Sequence, residues 1–346
     1  ASLGWVSTGT RQQVFEPTRT GSLGGTSTGT LAQGELPDGV RFRILRPHAK
    51  GGLGEVFVAE DTELRRQVAL KEIQIRHADN LNSRGRFVLE AEVTGGLEHP
   101  NIVPVYGLGT YADGRPFYAM RFIRGDSLKE AIERYHTANR GRQSSDSLSG
   151  DKQNPGADAP GSPMMFRNLL KRFVDVCNAV AYAHSRGILH RDLKPGNVML
   201  GKYGETLVVD WGLAKNLTSR DRERAVSDEP VLNMTSGSYD ETIDGSAVGT
   251  PPFMSPEQAA GKLDQLGPAS DVYSLGATLY VILTGRHAFA GSLGEMLRKV
   301  EAGDFPAPKA VNAAVPPALN AIVLRAMAKQ PGERYDSATL LAEDVE

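Results

Sequence analysis

An α+β fold, with a small antiparallel-sheet lobe carrying one main helix and a larger, mainly helical lobe after it, is predicted by three observations. Val, Phe, Leu and Ile concentrate in short runs at residues 55–60 and 67–75, the signature of strands. Residues 84–97 carry a helical apolar spacing. Beyond Gly125 the helical period dominates, notably over 166–185 and 272–284, with short strand-like runs at 198–200 and 207–209. In chain order, residues 1–36 are dominated by Gly, Ser and Thr without either period; such a segment cannot offset its ordering entropy and is expected to be a disordered tail. The first lobe with its connection to the second then covers 41–123 and the helical lobe 124–346. Inside the latter, 137–163 is nearly free of apolar side chains and rich in Ser, Gly, Asp and Pro, which predicts a disordered insertion.

Composition narrows the function classes. The chain has 346 residues, 40% hydrophobic, enough for sizeable cores. Its 39 Lys+Arg and 41 Asp+Glu leave a formal charge of only -2, so bulk electrostatics point to neither nucleic acid nor an anionic membrane as the main partner. The single cysteine, Cys177, forms no internal disulfide and no N-terminal run resembles a signal peptide, which favours a reducing, cytoplasmic setting. The longest apolar stretch, 277–283, is far short of the roughly 20 residues that span a membrane. The first residue is not Met and the last three, Asp344, Val345 and Glu346, read as part of a final helix; the chain is expected to be a fragment of a longer, membrane-anchored or multidomain protein.

In the tail, the pattern SLGxxSTGT occurs at Ser2 and again 20 residues later at Ser22. Compositional drift explains it; a duplicated phosphoacceptor or docking site, with Thr8, Thr10, Thr28 and Thr30 as acceptors, is the sharper reading.

Chemistry concentrates in His190-Arg191-Asp192-Leu193-Lys194-Pro195-Gly196-Asn197, followed thirteen positions after the Asn by Asp210-Trp211-Gly212. An Asp that orients a hydroxyl, an Asn five residues on and a second Asp are oxygen donors suited to a nucleophilic alcohol and hard magnesium ions. Upstream, Ala49-Lys50-Gly51-Gly52-Leu53-Gly54-Glu55-Val56 lies between strand-like 42–45 and 56–59; glycines there let backbone approach phosphates. Val68-Ala69-Leu70-Lys71 follows, then Glu90 in Phe87-Val88-Leu89-Glu90-Ala91, His99-Pro100-Asn101-Ile102-Val103 and Phe117-Tyr118-Ala119-Met120. Downstream stand Gly249-Thr250-Pro251-Pro252-Phe253-Met254-Ser255-Pro256-Glu257, Ser270-Asp271-Val272-Tyr273-Ser274-Leu275-Gly276 and Pro331-Gly332-Glu333-Arg334-Tyr335.

In order and spacing these motifs resemble the protein kinase superfamily, in particular the eukaryotic-like (Hanks-type) Ser/Thr kinases of bacteria, from Phe42 to the C-terminus. The resemblance implies the bilobal protein-kinase fold and an enzyme moving the γ-phosphoryl group of ATP to Ser or Thr of protein substrates, with Mg2+ or Mn2+. It casts Gly51 and Gly54 over the phosphates and Lys71 on the α and β phosphates, paired with Glu90. Glu92 is a neighbouring alternative, but about 200 degrees of helix separate it from Glu90. Val56, Ala69 and Met199 would enclose adenine, Met120 would stand at the back of its pocket, and the backbones of Arg121 and Ile123 would bond it. Asp192 would take or orient the acceptor proton, Lys194 steady the γ-phosphate, and Asn197 and Asp210 hold metal. Thr250 would touch Asp192, Glu257 pair with Arg334, and Asp271 bond the backbone of the catalytic loop. Small-molecule phosphotransferases share an HxDxxxxN loop but are not expected to carry these last motifs.

Departures from the family pattern are Ala49 for the first glycine, Gly196 for the commoner Glu, Trp211 for Phe and Ser255 for Ala. Arg191 implies an activating phosphate, with Thr242 or Ser246 as its expected carriers through autophosphorylation in a transient homodimer; Asp240, Glu241 and Asp244 lie alongside. The competing class is a pseudokinase scaffold regulated by ATP binding, disfavoured because Lys71, Glu90, Asp192, Asn197 and Asp210 are all present.

Overall fold

The computed structural model describes residues 41–149, 161–212, 215–216 and 249–346. The tail, Thr242 and Ser246 lie outside them. Two compact units emerge: residues up to Val88 with Val105–Phe122, and Leu89–Pro104 with Ile123–Glu346.

The first unit is a five-stranded antiparallel sheet of β1 (Phe42–Lys50), β2 (Gly54–Asp61), β3 (Arg66–Ile73), β4 (Val105–Thr110) and β5 (Pro116–Arg121), in the order β1-β2-β3-β5-β4. Its interior is Val58, Ala59, Val68, Leu70, Ile73 and Ala119, each buried, the β-branched and apolar residues that suit a covered pleat. β1 is an exposed edge strand, and its pairing with β2 is irregular between Pro47 and Ala49, a position where a residue without an N–H is tolerated. The short helix α1 (Ile75–Ala78) follows β3, and α2 (Leu81–Gly96) begins in this unit.

Leu89–Pro104 groups with the second unit, although it precedes β4 and β5 in the chain. The reason is burial: Val93, Leu97 and Ile102 belong to that unit's hydrophobic core, and the Val103 amide donates to the Val208 carbonyl at 3.1 Å.

Helices α3 (Leu128–Ser149), α4 (Pro163–Ser185), α5 (Pro256–Ala259), α6 (Pro268–Thr284), α7 (Leu293–Ala302), α8 (Pro308–Val311), α9 (Pro317–Ala326) and α10 (Ala338–Val345) build the second unit. The apolar α6 is buried along nearly its whole length, as a helix hydrophobic on all sides must be. Pro268 occupies its first turn and Gly285, at φ 67°, ends it in the left-handed region, the favoured asymmetry of helix ends. α4 is capped by Ser162, whose hydroxyl accepts from the Met165 amide, and Cys177 is buried within it. Short strands β6 (Gly125–Ser127), β8 (Val198–Gly201) and β9 (Thr206–Val208) form one sheet, and β7 (Ile188–Leu189) pairs with β10 (Lys215–Asn216). Among the described residues no helix is long and apolar enough to cross a membrane.

The insertion expected at 137–163 is helical in its first part, because α3 runs on to Ser149. Low apolar content argues against burial, not against helix. Leu128 and Ile132 anchor the first turns in the core, the Ser127 amide and hydroxyl donate to Glu130 Oε2 at 2.7 and 2.8 Å, and a helix already nucleated extends at little cost through a stretch without proline.

Candidate active site

In the first unit the glycine turn closes the β1–β2 hairpin: the Gly51 amide donates to the Gly54 carbonyl at 2.9 Å. A buried side chain the sequence reading missed, Gln74, donates from Nε2 to the Gly51 carbonyl at 2.5 Å and reaches those of Gly52 and Gly54 at 3.3 and 3.4 Å. Nothing local marks Gln74; only the pairing of β2 with β3 brings it there. Lys71 stands opposite Val56 on β2 and Tyr118 on β5, and Ala69 stands opposite Val58 and Met120. Directly paired residues share a face and i, i+2 residues repeat it, so Val56, Ala69, Lys71 and Met120 all lie on one face. Gly54 allows this closeness, since a Cβ there would sit 3.1 Å from Lys71 Cε and 2.9 Å from the Glu72 carbonyl. Arg121 ends β5 opposite Val68.

The second unit holds the remaining expected residues. Asp271, at the N-terminal end of α6, is buried and holds the loop that precedes Asp192. Its Oδ2 accepts from the His190 amide at 2.9 Å and from His184 Nε2 at 2.8 Å, and its Oδ1 accepts from the Arg191 amide at 2.8 Å. Burial pushes this carboxyl's pKa up, but His184, His190 and the Arg191 amide outweigh it and hold it below the usual range. Gln258 of α5 donates from Nε2 to the Arg191 carbonyl at 2.8 Å. Arg191, at φ 70°, is thus gripped at its N–H and its C=O in a backbone conformation that L side chains disfavour. His184 and Gln258 were not foreseen, because neither belongs to a local motif.

Asp192 sits at the centre of a compact polar network. Its Oδ1 accepts from the Thr250 amide at 2.9 Å and from Thr250 Oγ1 at 2.7 Å. Lys194 Nζ lies 2.5 Å from Asp192 Oδ2 and donates to Thr250 Oγ1 at 2.7 Å. Asn197 Nδ2 donates to the Asp192 carbonyl at 3.0 Å and reaches its Oδ2 at 3.4 Å. One carboxylate is therefore oriented by a hydroxyl, an ammonium and an amide from two chain segments.

Asn197 and Asp210 flank the open end of the β8–β9 hairpin, Asn197 just before β8 and Asp210 two residues after β9. Val198 pairs with Val208, and the Val209 amide donates to the Asn197 carbonyl at 2.9 Å. The amide nitrogen of Asn197 is committed to Asp192, so its Oδ1 is the atom suited to a cation, and Asp210 is exposed. Asp210 also has positive φ, 65°. Among the described residues no cluster of three or more His, Cys, Asp and Glu could hold a metal. The Asn197 and Asp210 side chains are both hard oxygen donors of the kind Mg2+ takes, and they would hold it together with phosphate oxygens. Met199 lies on β8 opposite Ser127 and Leu207.

Glu90 is buried at 2% exposure, whereas Glu92 is exposed. A Cβ at Gly212 would lie 3.0 Å from Glu90 Oε2 and 3.5 Å from Asp210 Oδ1, so the missing side chain at Gly212 leaves room for both carboxylates. Trp211 is buried against His190, ring centroids 4.6 Å apart, and its indole N–H has no acceptor among the described residues. Farther away, Arg334 Nη1 and Nη2 donate to Glu257 Oε1 and Oε2, each at 2.8 Å, a buried two-pronged pair. Ser270 Oγ adds a donation to Glu257 Oε1 at 2.7 Å. Burial pushes the Glu257 carboxyl up, and Arg334 and Ser270 more than reverse it.

The family model described as a protein kinase domain matches residues 44–344. The chain is 34% identical over 323 residues to the serine/threonine-protein kinase PknD of Protochlamydia amoebophila, covering 92% of this chain and 30% of that protein. It is 36% identical over 306 residues to the protein of the same name from Chlamydia caviae, covering 88% of this chain and 31% of that relative, and 36% identical over 311 residues to that of Chlamydia pneumoniae. The chain thus spans about a third of the length of the curated relatives it matches. A match over this extent, carried by the motifs whose geometry is described above, places the chain in the protein kinase domain family.

Proposed function

We propose that this chain is the catalytic part of an ATP-dependent Ser/Thr protein kinase. The observation that carries the reading is the Asp192, Lys194, Thr250 and Asn197 network, built on a loop that Asp271 holds by two backbone amides. A structural turn would not need a carboxylate so fixed in direction.

In this reading Asp192 orients the acceptor hydroxyl and receives its proton, and Thr250 fixes the rotamer that aims it. Lys194 supplies positive charge at the transferring phosphoryl group. Lys71 holds the α and β phosphates with Glu90 as its partner, Gly51 and Gly54 let backbone amides come close to them, and Val56, Ala69, Met120 and Met199 enclose adenine. The backbones of Arg121 and Ile123 bond its edge. Asn197 and Asp210 hold Mg2+ or Mn2+, which neutralises charge on the β and γ phosphates when bound with ATP. Protein Ser and Thr are the acceptors, and the chain's own Thr242 or Ser246 is among them, with Arg191 as the partner of the added phosphate.

The test is phosphosite mapping of the parent and of Asp192→Asn after incubation with Mg-ATP, with ATP binding measured on both. Phosphate on Ser or Thr in the parent, reduced by roughly 10²- to 10⁴-fold in the variant while ATP still binds, is the expected outcome. ATP binding with no phosphate transferred by the parent would instead identify a scaffold.

A further inference from the structure

We propose that Gln258 is a positioning residue for phosphoryl transfer, which together with Ser255 sets the direction of Asp192 through the Arg191 carbonyl, an assignment that rests on the kinase reading above. The peptide unit between Arg191 and Asp192 is held at both ends. Its C=O accepts from Gln258 Nε2 at 2.8 Å and its N–H donates to His190 Nδ1 at 3.3 Å. A peptide is planar, so fixing both ends fixes the direction in which the chain enters Asp192. The same grip keeps Arg191 at φ 70°, which a residue other than glycine holds only where its surroundings impose it.

The Gln258 amide is itself oriented. Its Oε1 accepts from the Ser255 amide at 3.0 Å and from Ser255 Oγ at 3.1 Å, so the NH2 end is the one that faces the Arg191 carbonyl. Both side chains are buried, Ser255 at 0% and Gln258 at 1% exposure, where an unmade bond costs most. Alanine at position 255, the commoner family residue, would keep the backbone donor and lose the hydroxyl.

Gly249 makes the approach close. A Cβ there would lie 3.2 Å from the Arg191 carbonyl oxygen and 3.6 Å from Gln258 Nε2, and its φ of 123° is one that L side chains rarely adopt. Thr250, next in the chain, bonds the Asp192 carboxylate by its amide and its hydroxyl. Residues 249–258 therefore reach Asp192 twice, at the carboxylate and at the peptide that carries it. Seating this segment would not by itself require the second bond to fall on that peptide.

The experiment measures kcat, KM for ATP and urea unfolding for the parent, Gln258→Glu, Gln258→Met and Ser255→Ala, with kcat followed from slightly acid to slightly alkaline pH. Glutamate keeps the shape of glutamine. Ionised, it sets an oxygen against the Arg191 carbonyl; protonated, its O–H donates to that carbonyl. Burial beside an acceptor disfavours the ionised form and raises its pKa above the ordinary Glu value, so the deficit of Gln258→Glu relative to the parent should shrink as pH falls. The pairs around the loop, Asp192 with Lys194, Asp271 with His184 and Glu257 with Arg334, are common to parent and variant, so the ratio at each pH reports the new carboxyl. We expect kcat to drop about tenfold in Gln258→Met, what one hydrogen bond is worth as a rate, and by less in Ser255→Ala, with KM for ATP unchanged in both. Parent kcat in both Gln258 variants overturns the assignment and leaves the kinase reading intact. So does a Gln258→Glu deficit of the same size at every pH, which lost packing alone would give. If neither Gln258 variant folds, Ser255→Ala decides, and parent kcat there overturns the assignment. No phosphate transferred by the parent, with ATP bound, overturns the kinase reading and the assignment with it.

Discussion

At the scale of single residues, the site depends on a carboxylate that does no chemistry. Asp271 accepts three hydrogen bonds in a buried position, two of them from the amides that lead into Asp192. Replacing it by Asn keeps the volume but sets an N–H against one of these donors and removes the charge that made the bonds strong. Asp271→Asn should lower stability by about 2 kcal/mol and lower kcat more than it weakens ATP binding. Urea unfolding and steady-state kinetics on the same preparation check this. An unchanged kcat would show that the catalytic loop keeps its shape without Asp271.

At the scale of elements, close approach is decided by what is absent. Gly276 on α6 faces α9 so tightly that a Cβ would sit 2.8 Å from Ala326 Cβ and 2.9 Å from Met327 Cγ. Gly276→Val forces the two helices apart in a close-packed interior, and such overpacking costs roughly 1–3 kcal/mol; the urea midpoint should fall with little change in slope. Much of this level was readable beforehand. Strand and helix periods placed β2, β3, α4 and α6 within a few residues of where they lie. The end of α3 was not readable, because a largely polar continuation carries no periodic signal and helix propagation, not burial, sustains it.

At the scale of the whole molecule, the two buried carboxylates link stability to pH. Asp271 and Glu257 both have depressed folded-state pKa values, so in acid the unfolded chain binds more protons than the folded one. Their contribution is complete above the ordinary Glu value of 4.5 and is lost as pH falls through the depressed values. Denaturation followed from pH 7 downward should show the loss beginning below the ordinary carboxylate range. Glu257→Gln should flatten this acid limb while lowering stability at pH 7, since Arg334 would then be a buried charge without its partner. A variant with the parent's acid limb would mean that other groups govern it.

By itself the sequence determined the family and the identity of the chemical groups, because the residues that define them stand at short, fixed spacings: the stretch from His190 to Asn197, Asp210 after it and Lys71 on its strand. Backbone geometry translates such spacing directly into position. Folding alone decided how these groups are held. Asp271 reaches a loop 81 residues away, Gln258 grips the Arg191 carbonyl across 67 residues, and Lys194 meets Thr250 across 56. Local sequence cannot encode those relations, because hydrogen bonds and fields act through space and only the packed core sets the distances over which they act.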